Sequence, residues 1–460
     1  MLTVEKIGGT SMSRFHDVYK NIITSGGKPT YNRIFVVSAY NDVTNWLLEH
    51  KKTGVPGIHA SFVKNGKYET ALDGLLQKLF AINRTFADLK LDLAAAERYL
   101  VDRVAQTKNY LKSMAEVVAS GYVDKQNILF AARELLASIG EAHSAFNTVD
   151  ILKHNGIQAA LVDLSGFNDE DYLTIDERIH KAFSGIDFSR TITVATGYTK
   201  GTEGIMREFD RGYSEVTFSK IAVEVGADEA VIHKEFHLAS ADPKVVSPEK
   251  AVTVGFTNYD VADQLADVGM EAIHPKASKP LEKHGIPLRI KNTFEPDHPG
   301  TLISKTYIGK ESRVEIIAGS DKVVVIEVHD SSMVGEAGFD MHVMQIFYRH
   351  GISYIMKATN ANSITMVIWE KDRREELLRE LESAYELVTV SEQAIVCIIG
   401  SNIAKPGVLS RAASVLAEHR INVECISQSL RQVSIQLVIR RKDFHKAITV
   451  LNEALCYSQQ

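Results

Sequence analysis

The residues best suited to chemistry stand where predicted strands run into glycine. Thr3 to Ile7 reads as a strand with Lys6 near its end. Gly8, Gly9, Thr10 and Ser11 follow, and Phe15, Val18 and Ile22 then recur at helical spacing. Glycine lets the main chain approach an anion, a helix start presents oriented N–H groups, and lysine adds a mobile positive charge. A phosphate cradle is built from such parts, although Gly-Gly after a strand also makes an ordinary turn. No G-x-x-x-x-G-K-[ST] or G-x-G-x-x-G occurs, so neither the P-loop nor the dinucleotide fingerprint applies. Further on, Gly197 ends another strand, and Asp210-Arg211-Gly212-Tyr213-Ser214-Glu215 sets an arginine beside glycine and serine at a strand-to-helix junction. That suits a bidentate clamp on a carboxylate or phosphate, or a surface arginine. Glu141, in Gly140-Glu141-Ala142-His143-Ser144, lies in a helical stretch and can pair with a substrate ammonium or remain an ordinary helix carboxylate. In His233-Lys234-Glu235-Phe236-His237 the glutamate is misplaced for H-E-x-x-H. An extended segment would still set His233, Glu235 and His237 on one side, as a minor metal-site alternative.

These residues need elements to hold them. Up to about residue 305, β-branched runs (Thr3 to Ile7, Arg33 to Val37, Ala159 to Asp163, Thr191 to Ala195, Ala230 to Ile232) alternate with helical patterns. Strands separated by helices predict crossover connections and a mostly parallel sheet covered on both faces. Leu93, Leu100, Val104, Leu111, Met114 and Val118 mark one face of a long helix ending at Gly121. Phe294 to Thr301, with two prolines, reads as a loop closing the first domain. Beyond it the chain repeats itself: Gly338 and Gly407, His350 and His419, Ile352 and Ile421, and Met366 and Ile435 are matched pairs. Each copy reads strand, glycine turn, amphipathic helix, strand, which predicts a duplicated α+β module rather than a solenoid. Lys371 to Glu382 reads as the last helix of the first copy.

Composition narrows the function classes. With 460 residues, about three domains are expected. The 45% apolar and 24% charged residues are those of a globular protein, not a disordered or collagen-like one. A net charge of −6 provides no global basic field for nucleic acid or anionic membrane, so an anionic substrate must be held by local cations and N–H groups. Only Cys397, Cys425 and Cys456 are present, without C-x-x-C spacing, which argues against disulfides and a cysteine zinc site and for a reducing cytoplasm. No long apolar run predicts a membrane span or a secretion signal.

Lys6 to Ser11 (K-I-G-G-T-S), Val36 to Ala39 with Thr44-Asn45 behind, Gly140 to Ser144, Arg211 to Glu215, Ala241 to Val246 and Gly269 to Pro275 follow in the order of the aspartate kinase motifs, and the duplicated tail resembles that family's tandem ACT domains. The resemblance covers nearly the whole chain. It implies an α/β fold, an amino-acid-kinase α/β/α sandwich over 1–305, with ACT domains over 306–390 and 391–460. It also implies phosphorylation of the β-carboxylate of L-aspartate by ATP, with Mg2+ held mainly by the ATP phosphates and no protein metal site. Lys6 would neutralise the phosphoryl group in flight, while Gly8, Gly9 and Thr10, joined by Gly197, would serve the nucleotide. Ser38, Thr44, Ser214 and Glu215 would line the substrate pocket, Glu141 would pair with the ammonium, and Arg211 would clamp the α-carboxylate. Met333, Gly338, Phe339, Asn360 and Asn362 match the effector loop and its facing strand, for an amino-acid effector or a dimerisation platform without ligand. The implied protein is a cytoplasmic homodimer or higher homo-oligomer.

The chain departs from the family pattern in R-G-Y-S-E, where R-G-G-S-D is usual. Ile232-His233-Lys234, Ala239 and Glu271 replace a W-T-D run, a tyrosine and a lysine on the nucleotide side. An acid where a lysine meets ATP inverts a local charge, which makes Lys234 and Lys244 candidate replacements. These departures resemble the divergent aspartate kinase branch associated with ectoine-synthesis genes. Two rivals remain: a same-fold kinase of another substrate, and a non-catalytic amino-acid sensor with a degenerate kinase domain.

Overall fold

The β-branched runs form strands because alternate side chains can be buried on both sheet faces. In a computed structural model describing residues 1–25, 27, 29–40, 42–51, 53–64, 66–209, 212–270, 272–310 and 313–457, they are β1 (Thr3–Ile7), β2 (Arg33–Val37), β3 (Ala159–Val162), β4 (Ile192–Thr196) and β5 (Glu229–Lys234). The remaining strands are β6 (Phe256–Thr257), β7 (Leu288–Asn292), β8 (Thr301–Ile303), β9 (Ile316–His329), β10 (Met356–Thr359), β11 (Ser363–Trp369), β12 (Leu387–Ile399), β13 (Cys425–Gln428) and β14 (Ser434–Arg440). The chain divides into two compact units, Met1–His237 with His274–Gly300, and Leu238–Ile273 with Thr301–Gln460.

In the first unit the strand order is β3-β4-β2-β1-β5-β7, and each pairing is parallel. Every residue of β1, β2 and β4 is buried, as a sheet covered on both faces requires. That burial includes charge. Glu5, Arg33 and His233 are 1%, 3% and 2% exposed. Arg33 Nε donates to Glu5 Oε1 at 2.6 Å and its other nitrogens donate to the carbonyls of Ile22 and Ile23, while His233 Nε2 lies 2.7 Å from Glu5 Oε2. A buried ion pair persists only when its remaining hydrogen-bonding capacity is met. The Leu93–Ser120 helix ends on Gly121 in the left-handed region at φ 73°, as the pattern predicts. The Lys125–His154 helix carries the Gly140 to Ser144 motif in its interior.

In the second unit β6 and β8 pair in parallel, and the tail forms an antiparallel sheet in the order β10-β11-β9-β12-β14-β13. The repeat is visible in the helix starts. Gly338 and Gly407 precede the Phe339–Arg349 and Val408–Glu418 helices at φ 100° and 103°, a backbone region open to glycine. Each copy has its own core: Ile326, Phe347, Ile364 and Leu381 in the first, Ile398, Leu416, Ile435 and Leu451 in the second. The charged stretch after β11 splits into a short 3-10 turn at Glu370–Asp372 and an α-helix at Glu375–Ala384, with Leu377, Leu378 and Leu381 inward. Residues 238–273 group with the tail because Ala241 and Val246 are buried in the second copy's core and Ser240 Oγ donates to Asn452 Oδ1 at 2.7 Å.

Candidate active site

Because β4, β2, β1 and β5 are adjacent and parallel, their carboxyl ends meet in one row, where open α/β sheets hold ligands. Lys6 comes from β1, Ser38 follows β2, Gly197 follows β4 and Lys234 ends β5. The ladder extends past the strands: Gly8 N–H donates to His233 O, Ser38 N–H to Ile7 O and Gly197 N–H to Val37 O. Gly8 and Gly9 open a single helical turn, Gly9–Met12. A Cβ on Gly9 would stand 3.0 Å from the Ala39 carbonyl, so glycine lets this turn lie against the β2 loop. Thr10 is exposed, whereas Ser11 is buried and donates to Glu235 Oε1 at 3.1 Å. Thr44 is half-buried on the Val43–Leu47 helix.

Behind this row lies a buried electrostatic cluster. Lys6 is 9% exposed, and its Nζ is 3.5 Å from Glu215 Oε1. The other Glu215 oxygen accepts the His274 N–H at 2.6 Å. Burial pushes the Glu215 carboxyl up, but Lys6, Lys234 and the His274 N–H outweigh it and hold the group below its ordinary value. Glu141 goes the other way. Burial drives its pKa up to about 8, against the opposing pull of the Ser214 hydroxyl, Lys6 and the Tyr198 N–H. Ser214 Oγ donates to Glu141 Oε1 at 2.7 Å, while Oε2 is buried with no partner among the described residues. A Cβ on Gly197 would stand 2.9 Å from Ser214 Cβ and 3.1 Å from Glu141 Oε1, so only glycine fits between them. Ser144 Oγ, one turn past Glu141, donates to the Ser38 carbonyl at 2.9 Å and ties the helix to the β2 end.

The structure therefore brings together Lys6, Glu141 and the adjacent Ser214 and Glu215, from three places far apart in sequence. Gly197, expected with the nucleotide residues, touches Glu141 and Ser214, the residues expected at the amino acid. Arg211 and Glu271 lie outside the described residues. Lys244 belongs to the second unit, exposed on the one-turn Pro243–Val246 helix. The extended His233-Glu235-His237 row does not form, because β5 ends at Lys234 and the three side chains turn to Glu5, Ser11 and Glu295 respectively. Among the described residues no group of three His, Cys, Asp or Glu is placed to hold a metal.

Two residues escape the motif reading. Tyr198 is 4% exposed and donates its hydroxyl to Glu134 Oε2 at 2.6 Å; Glu134 Oε1 accepts the Met206 N–H at 2.8 Å. Burial raises the Glu134 carboxyl despite these bonds. The available signal was spacing: Glu134 precedes Glu141 by two helical turns and shares its face.

In the first tail module, the five residues matched to an effector loop gather at one end of the sheet. Met333 closes a 3-10 turn, and the Phe339 ring lies tilted at 44° to that of Tyr385, 6.1 Å between centroids. Asn360 Oδ1 accepts the N–H groups of Asn362 and Ser363, and Asn362 Nδ2 lies 3.2 Å from His329 Nε2. Gly338 supplies the helix start.

A parallel α/β unit with a lysine–carboxylate cluster at its strand ends, followed by paired α+β modules, defines a small-molecule kinase class. A family model described as the amino acid kinase family matches residues 1–292, and an ACT domain model matches 396–455. The aspartate kinase Ask_Ect of Stutzerimonas stutzeri (strain A1501) is 47% identical over 464 residues, covering 99% of this chain and 97% of its own. Chloroplastic aspartokinase 1 of Arabidopsis thaliana is 25% identical, over 98% of this chain and 79% of its own. The crystal structure of Clostridium acetobutylicum aspartate kinase superposes with a TM-score of 0.75 at 21% identity, covering 99% of this chain and 100% of that one. E. coli aspartokinase III in complex with aspartate and ADP gives 0.70 at 21%, with the same coverage. The chain belongs to the amino acid kinase family, within its aspartate kinases.

Proposed function

We propose that this protein transfers the γ-phosphoryl group of ATP to the β-carboxylate of L-aspartate, giving 4-phospho-L-aspartate and ADP. The observation that carries the reading is the pairing of an orphaned, buried Glu141 oxygen with Lys6 at the same strand ends. An ammonium is the ligand such a carboxylate lacks, and its charge would favour ionised Glu141 over the protonated form that burial imposes. The β-carboxylate is ionised at pH 7 and needs no general base. A carboxylate oxygen attacks the γ-phosphorus, the bond to the β,γ-bridging oxygen breaks, and ADP leaves with that electron pair. The residues have only to align the reactants and neutralise charge. Lys6, whose Nζ lies 3.5 Å from Glu215 Oε1, faces the transferring group. Gly8, Gly9 and Thr10 receive the phosphates, with Lys234 as a further cation. Ser38, Thr44 and Ser214 border the amino acid, and Arg211 clamps its α-carboxylate. Mg2+ would be held mainly by the ATP phosphates, as the family resemblance implies.

On this reading residues 1–305 are catalytic, and 306–390 and 391–460 are ACT domains that pair between chains of a cytoplasmic homodimer, with an amino-acid effector at Met333, Gly338, Phe339, Asn360 and Asn362. Resemblance to the ectoine-associated branch supports a product destined for aspartate-family, including ectoine, synthesis. The test is formation of aspartyl hydroxamate from MgATP, L-aspartate and hydroxylamine. Replacing Arg211 by Ala leaves one partner of a desolvated charge pair unmet, about 2 to 5 kcal/mol, so kcat/KM for aspartate should fall by roughly 30- to 5000-fold. Binding of an amino acid with no detectable MgATP binding in calorimetry would favour a sensor instead.

A further inference from the structure

The proposed chemistry leaves the His274-Pro275 pair without a role. His274 precedes the Pro275–His284 helix and belongs, with that helix, to the first unit. Its Nδ1 accepts the Lys276 N–H at 3.2 Å, which caps the helix and fixes how the ring is turned. The ring in turn rests on Gly212. A Cβ there would stand 2.5 Å from the imidazole Cδ2 and 3.0 Å from Cγ and Nε2, so any side chain at 212 would have to displace the ring.

Gly212 opens the Tyr213–Glu224 helix, whose first turn carries two polar arms of the cluster. Ser214 Oγ donates to Glu141 Oε1 at 2.7 Å, and Glu215 Oε1 lies 3.5 Å from Lys6 Nζ. His274 meets this turn at two points. Its ring bears on Gly212, and its main-chain N–H donates to Glu215 Oε2 at 2.6 Å. Lys276 extends the grip to the chain before the turn: its Nζ donates to the Glu208 carbonyl at 2.8 Å and stands 5.1 Å from the Phe209 ring centroid. The Pro275–His284 helix also packs against the Tyr213–Glu224 helix, so the cap is anchored to the element that it braces.

We propose that His274 is a positioning residue of the lysine–carboxylate cluster: its ring braces Gly212 and so sets Ser214 against Glu141 and Glu215 against Lys6. The inference rests on the function proposed above. A reaction driven by alignment and charge neutralisation tolerates little drift, and a misplacement of about 1 Å can cost on the order of 100-fold in rate. Of the two contacts, only the one to Gly212 depends on the His274 side chain, because the N–H to Glu215 belongs to the main chain. Substitution therefore leaves Glu215 its donor and removes the brace.

The test is steady-state ADP release with MgATP and L-aspartate, read alongside urea unfolding, for the wild type, His274→Ser and His274→Asn. Serine keeps a capping acceptor for the helix and removes the ring. His274→Ser should lower kcat at least about tenfold while its urea midpoint stays that of the wild type, a pattern that a merely structural role would not give. His274→Asn, whose amide places atoms where Cγ, Nδ1 and Cδ2 stand, should retain more kcat than His274→Ser. In a Lys6→Met background His274→Ser should change kcat by less than about threefold, since the group it positions is gone. Gly212→Ala should also lower kcat, and combining it with His274→Ser should cost no more than the worse single substitution, because the added methyl then has room. If His274→Ser does not fold, Gly212→Ala displaces the ring from the other side and carries the test. Wild-type kcat in His274→Ser, an equal loss with and without Lys6, or full additivity with Gly212→Ala overturns the brace. A wild type that releases no ADP with aspartate overturns the proposed function and this inference with it, whereas an active wild type with an unmoved variant overturns the inference alone.

Discussion

Replacing Glu141 by Gln tests the cluster at its most perturbed group. The carboxyl moves from an ordinary 4.5 to about 8, chiefly because burial penalises its charge. Between those values the unfolded chain has released the proton that the folded protein keeps. The unfolded state then binds fewer protons, and stability falls as pH rises. At ~1.4 kcal/mol per unit, the loss from pH 4.5 to 7 is about 3 kcal/mol, reaching about 5 above pH 8. Gln keeps the acceptor for Ser214 and carries no charge, so its variant should lack this slope. Urea unfolding at pH 5 and 7 reads the difference directly: the variant should gain about 3 kcal/mol relative to wild type over that interval. The same proton governs substrate. An ammonium partner needs the ionised form, so apparent affinity for L-aspartate should improve about tenfold per pH unit from 6 to 8 and then level off. Equal urea slopes in both proteins would refute the buried, protonated carboxyl. A stability slope with a flat affinity profile would refute Glu141 as the ammonium partner.

Lys6→Met keeps the side-chain length and removes the charge that Glu215 and Glu141 both face; kcat should fall by about 100- to 1000-fold, as when a transition-state donor is lost, with KM for aspartate changing far less, which steady-state ADP release would show. Arg33→Met removes the guanidinium from Glu5 in the sheet interior, where His233 and the Thr3 hydroxyl also contact the carboxylate. Removing one member of a buried pair should lower unfolding stability by about 3 to 5 kcal/mol, and adding Glu5→Leu should recover part of that loss in urea melts; full additivity of the two substitutions would contradict the pairing.

Much of the scaffold was legible because its signals are local. The β-branched runs, the Leu93–Ser120 periodicity ending at Gly121, and the glycine turn before each of the Phe339–Arg349 and Val408–Glu418 helices depend on residues near one another in the chain. The metal alternative at His233, Glu235 and His237 failed for a non-local reason: β5 stops at Lys234, and each side chain finds a closer partner on another element.

By itself, the sequence determined the parallel α/β class, the duplicated tail, and which residue types stand at the strand ends, since hydrophobic period, glycine position and motif order are properties of the chain read in line. Only the tertiary structure decided their chemistry. Glu141 and Glu215 are both glutamates following glycine-containing motifs, yet one is raised by burial and the other held down by two lysines and an N–H. Desolvation and charge proximity depend on what folds against a residue from afar. For the same reason, Glu134 and Tyr198 become visible only when the end of β4 lies along the Lys125–His154 helix.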